Sequence, residues 1–238
     1  MVDQAIKEKV LKQFTRNEII KLLQDAIRIP GHKDLPQHES DVAKFYFDWF
    51  REQGIEAELQ DVGKGRLNVL AWIRGSGGGS SLMLNSHTDT KPPYNMKIEP
   101  YNPVIKDGKV YGRGSLDAKA QLTAFAFALL AIHRAEVPLS GDLLFAGVAG
   151  EEWDSVGSIY IAKYGPKTDM AIVGEPTKLE VCVAHKGGIS VTLTTLGRSA
   201  HSSMPHLGVN AIAKMGKLIM AIEEELPKKL SVERHPLL

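Results

Sequence analysis

Cysteine is almost absent from this sequence, which has only Cys182 among 238 residues. One thiol cannot form an internal disulfide, and we expect a reducing compartment, the cytoplasm. Cys182 lies in the alternating run 180–184, which predicts a buried free thiol in a strand. No activating pattern of residues surrounds it, so the sequence does not favour a cysteine nucleophile.

The sequence also has no excess of charge of either sign and no long apolar run. Its 29 Lys and Arg residues face 28 Asp and Glu residues, for a formal net charge of +1. This balance gives no electrostatic reason to expect nucleic acid or an anionic membrane. No segment approaches the ~20 apolar residues of a membrane span, and residues 1–7 are charged where a signal peptide would be apolar. We therefore predict neither a nucleic-acid nor a membrane partner.

What the sequence does contain is one histidine and several acids that follow short apolar segments. The run 82–84 predicts a buried strand that delivers His87 at its carboxyl end, and the apolar runs 142–149 and 169–173 end in acids. Because ligands bind at the carboxyl ends of strands in open α/β sheets, these side chains should meet at one edge. Histidine and carboxylates are metal ligands, so the group predicts a metal site, and a di-metal site in particular. Its members are His87, Asp89, Asp117, Glu151, Glu152 and Glu175.

The case for His87 as a metal ligand depends on its neighbours. A single histidine at the end of a buried strand is more often a satisfied core residue. Asp89 follows two residues later on the same strand face, and it is placed to accept the second imidazole N–H, as carboxylates do beside metal-bound histidines. With further acids predicted at the same edge, the sequence favours the ligand interpretation.

Asp117 is a candidate for the carboxylate that bridges two metal ions. It follows Gly112 and Gly114, which let the backbone fold tightly before the long apolar helix predicted over 117–133. The alternative is an ordinary helix N-cap. We expect Asp117 to be both, because capping would fix the geometry of its carboxylate.

Glu151 and Glu152 form an adjacent acidic pair after an apolar strand. Adjacent strand residues point to opposite sides, so the two carboxylates should have different roles. The alternative is a solvated pair at the start of a helix over 153–164, where acids interact favourably with the helix dipole. The pair taken alone leaves both interpretations open.

The alternation of predicted helices and apolar strands up to Val173 indicates an α/β fold. We expect a mixed, mostly parallel sheet with helices on both faces. The pattern changes near residue 186, since residues 189–196 alternate strictly and predict a half-exposed strand, and residues 210–226 predict an amphipathic helix. We therefore expect a catalytic metal-binding domain over 1–186 and the start of an α+β domain over 187–238.

Five motifs follow one another along the chain. They are His87-x-Asp89, Gly112-Arg113-Gly114-x-x-Asp117-x-Lys119, Glu151-Glu152, Gly174-Glu175-Pro176-Thr177 and Gly197-x-x-Ala200-His201-x-x-x-Pro205. In this order they resemble the zinc metallopeptidase and amidohydrolase family (peptidase family M20) that includes acetylornithine deacetylase, succinyl-diaminopimelate desuccinylase, aminoacylase and glutamate carboxypeptidase. The resemblance runs from about the N-terminal helix to the last residue, and the ordered series is much more specific than any single motif.

The resemblance implies a role for each acid and for one more histidine. It implies that Glu152 is a metal ligand and that Glu151 is the general base that takes a proton from the metal-activated water. It implies that Glu175 is the carboxylate ligand of the second metal, where the alternative is a turn before Pro176. It implies that His201 hydrogen-bonds the tetrahedral oxyanion, where the alternative is a polar loop histidine.

The resemblance further implies an activity, cofactors and an assembly. We predict a metal-dependent hydrolase that cleaves the amide bond of N-acyl amino acids or short peptides with a metal-activated water. The cofactors would be two divalent metal ions, zinc with cobalt as the alternative. The partners would be the small-molecule substrate and a second copy of the chain, bound as a homodimer through the second domain, which serves as a lid or dimerisation domain.

The resemblance also predicts a continuation beyond the printed residues. In the family, the second domain continues and the chain then returns to complete the catalytic sheet and to supply a last histidine ligand, which is not found before Leu238. We expect residues 1–238 to be an amino-terminal portion of such a protein. The alternative function is a truncated, catalytically incompetent fragment that at most binds metal.

Overall fold

A computed structural model describes residues 3–231 and 236–237 of the chain. The chain divides into two compact units, Met1–Pro176 and Thr177–Leu238, and each is described by itself. The domain boundary that the sequence predicts after residue 186 stays a prediction. Within the described residues, no helix is long and apolar enough to cross a membrane.

The first unit alternates helices with strands for most of its length. Its elements in chain order are α1 (Gln4–Leu11), α2 (Arg16–Ile27), α3 (Ser40–Glu52), β1 (Glu56–Gly63), β2 (Arg66–Ile73), β3 (Leu82–His87), β4 (Val104–Lys106), β5 (Lys109–Tyr111), α4 (Lys119–Arg134), β6 (Leu143–Val148), α5 (Val156–Tyr164) and β7 (Met170–Val173).

Five of these strands form one mixed sheet in the order β1-β2-β6-β3-β7. The pairs β1–β2 and β2–β6 are antiparallel, whereas β3 lies parallel to both β6 and β7. Strands β4 and β5 form a separate hairpin. Because β3, β6 and β7 run in one direction, their carboxyl ends lie at the same edge of the sheet.

The sheet has an apolar core on each face. Along β2, Val69 and Ala71 belong to the larger core, which contains buried residues of α2, α3 and α4. The alternate residues Leu70 and Trp72 belong to a second core, which contains Ile161 of α5. This two-residue alternation places helices on both faces, which confirms the α/β fold class predicted from the sequence.

Local signals in the sequence set the ends of the helices. Thr15 and Glu18 form a capping box at the start of α2, in which the Thr15 hydroxyl accepts the Glu18 N–H at 3.2 Å and the Glu18 carboxylate accepts the Thr15 N–H at 2.7 Å. Gly54 follows α3 with a φ of +75°, in the left-handed region where glycine ends helices at little cost. Both features depend on residues close to the helix end, so the sequence itself carries the signals for these ends.

The second unit contains a short 3₁₀ helix (Pro205–Leu207) and α6 (Ala211–Leu230), which Asn210 caps by accepting the Ala213 N–H at 3.0 Å. The strand predicted over 189–196 is wrong, because the described residues of this unit form only one isolated bridge, Arg198–Val209. An alternating pattern indicates an apolar face, but a strand also needs a second backbone to satisfy its N–H and C=O groups. Cys182 is likewise exposed and outside any strand, so the predicted buried strand thiol is wrong.

Candidate metal site

The residues predicted to bind metal in the first unit lie where the three parallel strands end. Backbone hydrogen bonds keep these ends together, since the Thr88 N–H donates to the Val148 carbonyl at 2.8 Å and the Gly174 N–H donates to the Asn85 carbonyl at 2.7 Å. His87 and the acids that follow β3, β6 and β7 therefore leave the sheet at one edge, as the sequence predicts, whereas Asp117 comes from the loop before α4.

His87 is the buried centre of the site, with a side chain that is 1% exposed. Its Nδ1 lies 2.9 Å from the backbone carbonyl of Asp89 and 3.3 Å from the carboxylate of the same residue. A carbonyl can only accept, so Nδ1 carries a proton and donates it. In the neutral ring this leaves Nε2 as the free nitrogen, which lies 3.0 Å from the Asp117 carboxylate.

The buried Asp89 carboxylate holds the backbone of the acidic pair. Its Oδ1 accepts the Glu151 N–H and its Oδ2 accepts the Glu152 N–H, both at 3.0 Å. Asp89 therefore contacts His87 through both its carbonyl and its carboxylate, and both glutamates through its carboxylate. One residue fixes the distance between the end of β3 and the segment that follows β6.

Three side chains offer ligand atoms close enough together for one metal ion. A nitrogen of His87 and carboxylate oxygens of Glu151 and Glu175 lie within 4.8 Å of one another. Zinc takes nitrogen and oxygen ligands at about 2.0–2.2 Å, so its ligand atoms lie roughly 3–4 Å apart. The spacing between Glu175 Oε1 and His87 Nε2, 3.7 Å, matches this geometry. The donor set therefore fits a divalent ion.

Glu152 has different surroundings from its neighbour. Its carboxylate forms an ion pair with Lys91 Nζ at 2.8 Å and accepts the Lys91 N–H at 3.2 Å. Lys91 Nζ also donates to the Glu152 carbonyl. The two adjacent acids therefore have different partners, and the separate roles expected for them stay a prediction.

The acids of the site exceed its cations, and burial together with the nearby charges shifts the pKa values of its groups. Burial by itself lowers the pKa of His87, but the nearby carboxylates of Asp117 and Asp89 raise that pKa to about 11. Burial raises the pKa of Glu175 to about 7, against the opposing effect of the His87 charge. Burial likewise raises the pKa of Glu151. A site that holds a proton this tightly between carboxylates has the charge to hold a cation in its place.

Asp117 lies at this site but does not cap a helix. Helix α4 begins at Lys119, its N-cap position is Ala118, and no side chain caps it. The expected N-cap role of Asp117 is therefore wrong. Its carboxylate, half exposed, instead contacts His87 Nε2 at 3.0 Å, and that contact lowers the pKa of Asp117.

His201 lies in the second unit. Its Nδ1 is 2.8 Å from the Ser203 hydroxyl and accepts the Ser203 N–H at 3.2 Å, within an exposed turn. The role that the family resemblance implies for it stays a prediction.

Sequence reasoning missed the residues that support the acidic pair. Arg66 forms ion pairs with Glu39 at 2.9 Å and with Asp154 at 2.6 Å, and its side chain is 6% exposed. Asn68, fully buried, accepts the Ala149 N–H at 2.9 Å. The available signal was the presence of two polar residues at the start of an otherwise apolar strand, where unpartnered burial would be costly.

The chain is similar in sequence to known hydrolases. Residues 83–233 match the family model described as peptidase family M20/M25/M40. A relative from Staphylococcus epidermidis, described as a probable succinyl-diaminopimelate desuccinylase, is 31% identical over 217 residues, which cover 89% of this chain and 52% of the relative. The chain thus spans about half the length of such relatives.

Solved structures share the fold at lower sequence identity. A tripeptidase from Staphylococcus aureus superposes with a TM-score of 0.62 at 20% identity, over 87% of this chain and 57% of that one. An M20 family metallo-carboxypeptidase from Sulfolobus solfataricus gives a TM-score of 0.55 at 23% identity, over 66% of this chain and 37% of that one. The ordered motifs, the mixed sheet with its acidic edge and the matched family model lead to one assignment: this chain belongs to peptidase family M20/M25/M40.

Proposed function

We propose that this chain is the metal-binding part of a hydrolase that cleaves the amide bond of N-acyl amino acids or short peptides. The observation that carries the proposal is the buried His87, whose Nδ1 donates to Asp89 and whose Nε2 faces carboxylates 3.0 and 3.7 Å away. Relatives described as a desuccinylase and a tripeptidase support amide hydrolysis as the reaction class.

The ligands that we propose for two divalent ions, zinc with cobalt as the alternative, are one imidazole and three carboxylates. An imidazole fixed by a hydrogen bond on its other nitrogen is the usual form of a metal-bound histidine. The clustering of donor atoms supports His87 and Glu175, and the 3.0 Å contact between His87 Nε2 and the Asp117 carboxylate supports Asp117. Glu152 would exchange its ion pair with Lys91 for a metal. The proposed ligands are His87, Asp117, Glu152 and Glu175.

The remaining acids, Glu151 and Asp89, would have two different tasks: Glu151 would transfer protons, and Asp89 would hold neighbouring groups in place. Divalent ions, when bound, supply the charge that polarises an amide carbonyl and makes water a stronger acid. Glu151 would take the proton of the attacking water, and burial, which raises its pKa, suits it to hold that proton and then give it to the leaving amine. Asp89 would keep Glu151 in place through the amide hydrogen bond and keep His87 in one tautomer.

The proposal also includes a substrate class and an oligomeric assembly. We propose a small N-acyl amino acid or peptide as substrate, with His201 as donor to the oxyanion, and a homodimer formed through the second unit. The alternative function is a truncated, catalytically incompetent fragment that at most binds metal.

Zinc binding and hydrolysis measured on the same protein test the proposal. Metal-free protein is equilibrated with ZnCl₂ and assayed for bound zinc by atomic absorption and for hydrolysis of N-acetyl amino acids, N-succinyl amino acids and dipeptides. We expect up to about two ions per chain, lost in His87→Ala and retained in His133→Ala, a histidine on α4. Hydrolysis by the zinc-loaded protein supports the full proposal. Zinc binding without hydrolysis supports the alternative, and no zinc binding overturns the metal-dependent hydrolase.

A further inference from the structure

The two adjacent acids are carried by a closed loop, residues 149–157, named here the acid loop. Its ends meet, since the Gly157 N–H donates to the Ala149 carbonyl at 2.9 Å. Inside it, the Gly150 carbonyl accepts the N–H groups of Asp154 at 3.0 Å and Ser155 at 2.5 Å. Gly150 has a φ of +75°, in the left-handed region. The positions of Glu151 and Glu152 therefore depend on what fixes this loop.

Asn68 of β2 fixes the base of the acid loop. Its Oδ1 accepts the Ala149 N–H at 2.9 Å, and its Nδ2 donates to the Gly157 carbonyl at 3.2 Å. The side chain thus joins the first and last residues of the loop. Since Asn68 is fully buried, these are hydrogen bonds that water does not compete for.

Arg66 lies two residues earlier on the same strand and contacts the far part of the loop. Its Nη1 donates to the Asp154 carboxylate at 2.6 Å, and its guanidinium carbon lies 4.9 Å from the centre of the Trp153 ring. On its other side, Nε donates at 2.9 Å to Glu39, whose side chain is 0% exposed. Glu39 anchors the arginine beside the start of α3.

The guanidinium also packs against the residue that precedes the acids. A methyl group added at Gly150 would lie 2.4 Å from Arg66 Nη2 and 2.3 Å from Asp154 Oδ1. Arg66 therefore contacts the loop before the acids at Gly150 and after them at Trp153 and Asp154. Asp89 in addition accepts the backbone N–H groups of Glu151 and Glu152.

Stability alone is a poor explanation for this arrangement. A buried ion pair contributes little net stability, because desolvation of the two charges offsets their attraction. A planar guanidinium, however, holds two carboxylates and one ring in a fixed relative geometry, which a flexible ammonium group does not reproduce. The arrangement is therefore better suited to fixing the loop than to stabilising the fold.

We propose that Arg66 is a positioning residue that, through Asp154, Trp153 and Gly150, sets the acid loop so that its two carboxylates face the metal site. This proposal rests on the metal-dependent function proposed above. Arg66 forms its ion pairs with Glu39 and Asp154, not with the proposed metal ligands, and it acts on the backbone that carries Glu151 and Glu152.

Arg74 supplies a matched control. It follows the other end of β2 and likewise binds two carboxylates, Glu56 at 2.5 Å and Asp142 at 3.1 Å, and its guanidinium carbon lies 4.7 Å from the Trp72 ring. Its side chain is 53% exposed, and its partners lie outside the acid loop. A variant at Arg74 therefore removes a similar cluster without affecting the acids.

The experiment compares Arg66→Met, Arg66→Lys, Asp154→Asn and Arg74→Met in the full chain. Zinc affinity is measured by competition with a chromogenic chelator, and amide hydrogen exchange is measured for the peptide that covers 149–157 in the absence of zinc. We expect Arg66→Met and Asp154→Asn to weaken zinc binding about 10–100-fold, the usual loss when outer support of a metal site is removed. We also expect faster exchange in the acid loop. Arg66→Lys should recover part of both effects, and Arg74→Met should match the wild type.

The outcomes separate the two proposals. Wild-type zinc binding together with unchanged zinc affinity in a folded Arg66→Met protein would overturn the positioning role and leave the proposed function intact. A wild-type chain that binds no zinc would overturn the proposed function, while the exchange measurement would still decide whether Arg66 fixes the loop. If Arg66→Met does not fold, Asp154→Asn makes the same test from a side chain that is 34% exposed. Arg66→Lys and Asp154→Asn are also combined in one double variant. If their losses of zinc affinity simply add, the two residues act independently, which would contradict a joint role in fixing the loop.

Discussion

Glu151 and Glu152 are neighbours in sequence, but their carboxylates have separate environments. Glu151 lies in the donor cluster with His87 and Glu175, and Glu152 pairs with Lys91. We expect Glu151→Gln to lower turnover about 10²–10⁴-fold, the contribution of a general base, while zinc content stays nearly unchanged. Glu152→Gln should lose zinc as well as activity. Atomic absorption and initial rates on the same samples make the comparison.

Glu224→Gln, at an exposed acid on α6, is the control for removing one charge from the chain. The reverse pattern, with zinc lost in Glu151→Gln and retained in Glu152→Gln, would exchange the proposed roles. In that case the three residues of the donor cluster, His87, Glu151 and Glu175, would themselves be metal ligands. Equal behaviour of both variants would contradict any division of roles between the two acids.

At the residue scale, the sequence predicts those candidate site residues that directly follow a strand. His87 and Glu175 were found because each comes within two residues of the end of an apolar strand. Arg66 was not found, because its partner Asp154 is 88 positions away and the contact exists only after β2 pairs with β6. Asp117 was misread as an N-cap because its carboxylate has a competing partner, His87, that local sequence does not show.

At the scale of one helix, the capping box of α2 gives a stability that depends on pH. Hydrogen bonds from Thr15, together with the Arg134 charge, hold the pKa of Glu18 below its ordinary 4.5. A carboxyl whose folded pKa is lowered contributes stability that is fully present above its unfolded pKa and is lost as the pH falls through the folded pKa. Thr15→Ala should therefore cost about 1 kcal/mol at pH 7, and the difference from wild type should shrink as the pH falls below 4.5.

Urea unfolding followed by circular dichroism, at pH 7 and at steps down to pH 3, measures this effect. Glu52→Gln, at an exposed acid in the last turn of α3, is the control for losing a helix carboxylate without a capping box. A Thr15→Ala difference that stays constant across the acid range would show that the Glu18 carboxylate does not act through the cap.

The elements that the sequence predicts well are those whose signals are local. The capping box, the apolar faces of the helices and the short apolar strands needed no knowledge of distant residues. The segment 189–196 has the alternation of a strand, yet a strand depends on a partner, and the described residues of the second unit offer it none. Periodicity describes one surface of a segment, whereas pairing is a property of two segments.

Across the first unit as a whole, the two halves of the sheet have different tasks. The parallel half, β6-β3-β7, brings His87 and the acids to one edge. The antiparallel neighbour β2 supplies Arg66 and Asn68, which hold the acid loop from the side. A metal site of this kind therefore needs both halves, because clustered carboxylates repel one another and move apart unless the backbone that carries them is fixed.

The same sheet also presents an apolar edge. Strand β7 is the last strand in the sheet formed by the described chain, and its residues Met170, Ile172 and Val173 are 53%, 50% and 61% exposed. Edge strands with exposed apolar side chains template pairing with another chain, and a lysine on such a strand opposes it. We expect the purified chain to associate beyond the dimer proposed through the second unit as its concentration rises, and Ile172→Lys to reduce that further association in sedimentation velocity. Ile105→Lys, at an isoleucine that is 52% exposed on the separate β4–β5 hairpin, should leave association unchanged. Equal effects of the two variants would show that association follows total apolar exposure and not the free edge of β7.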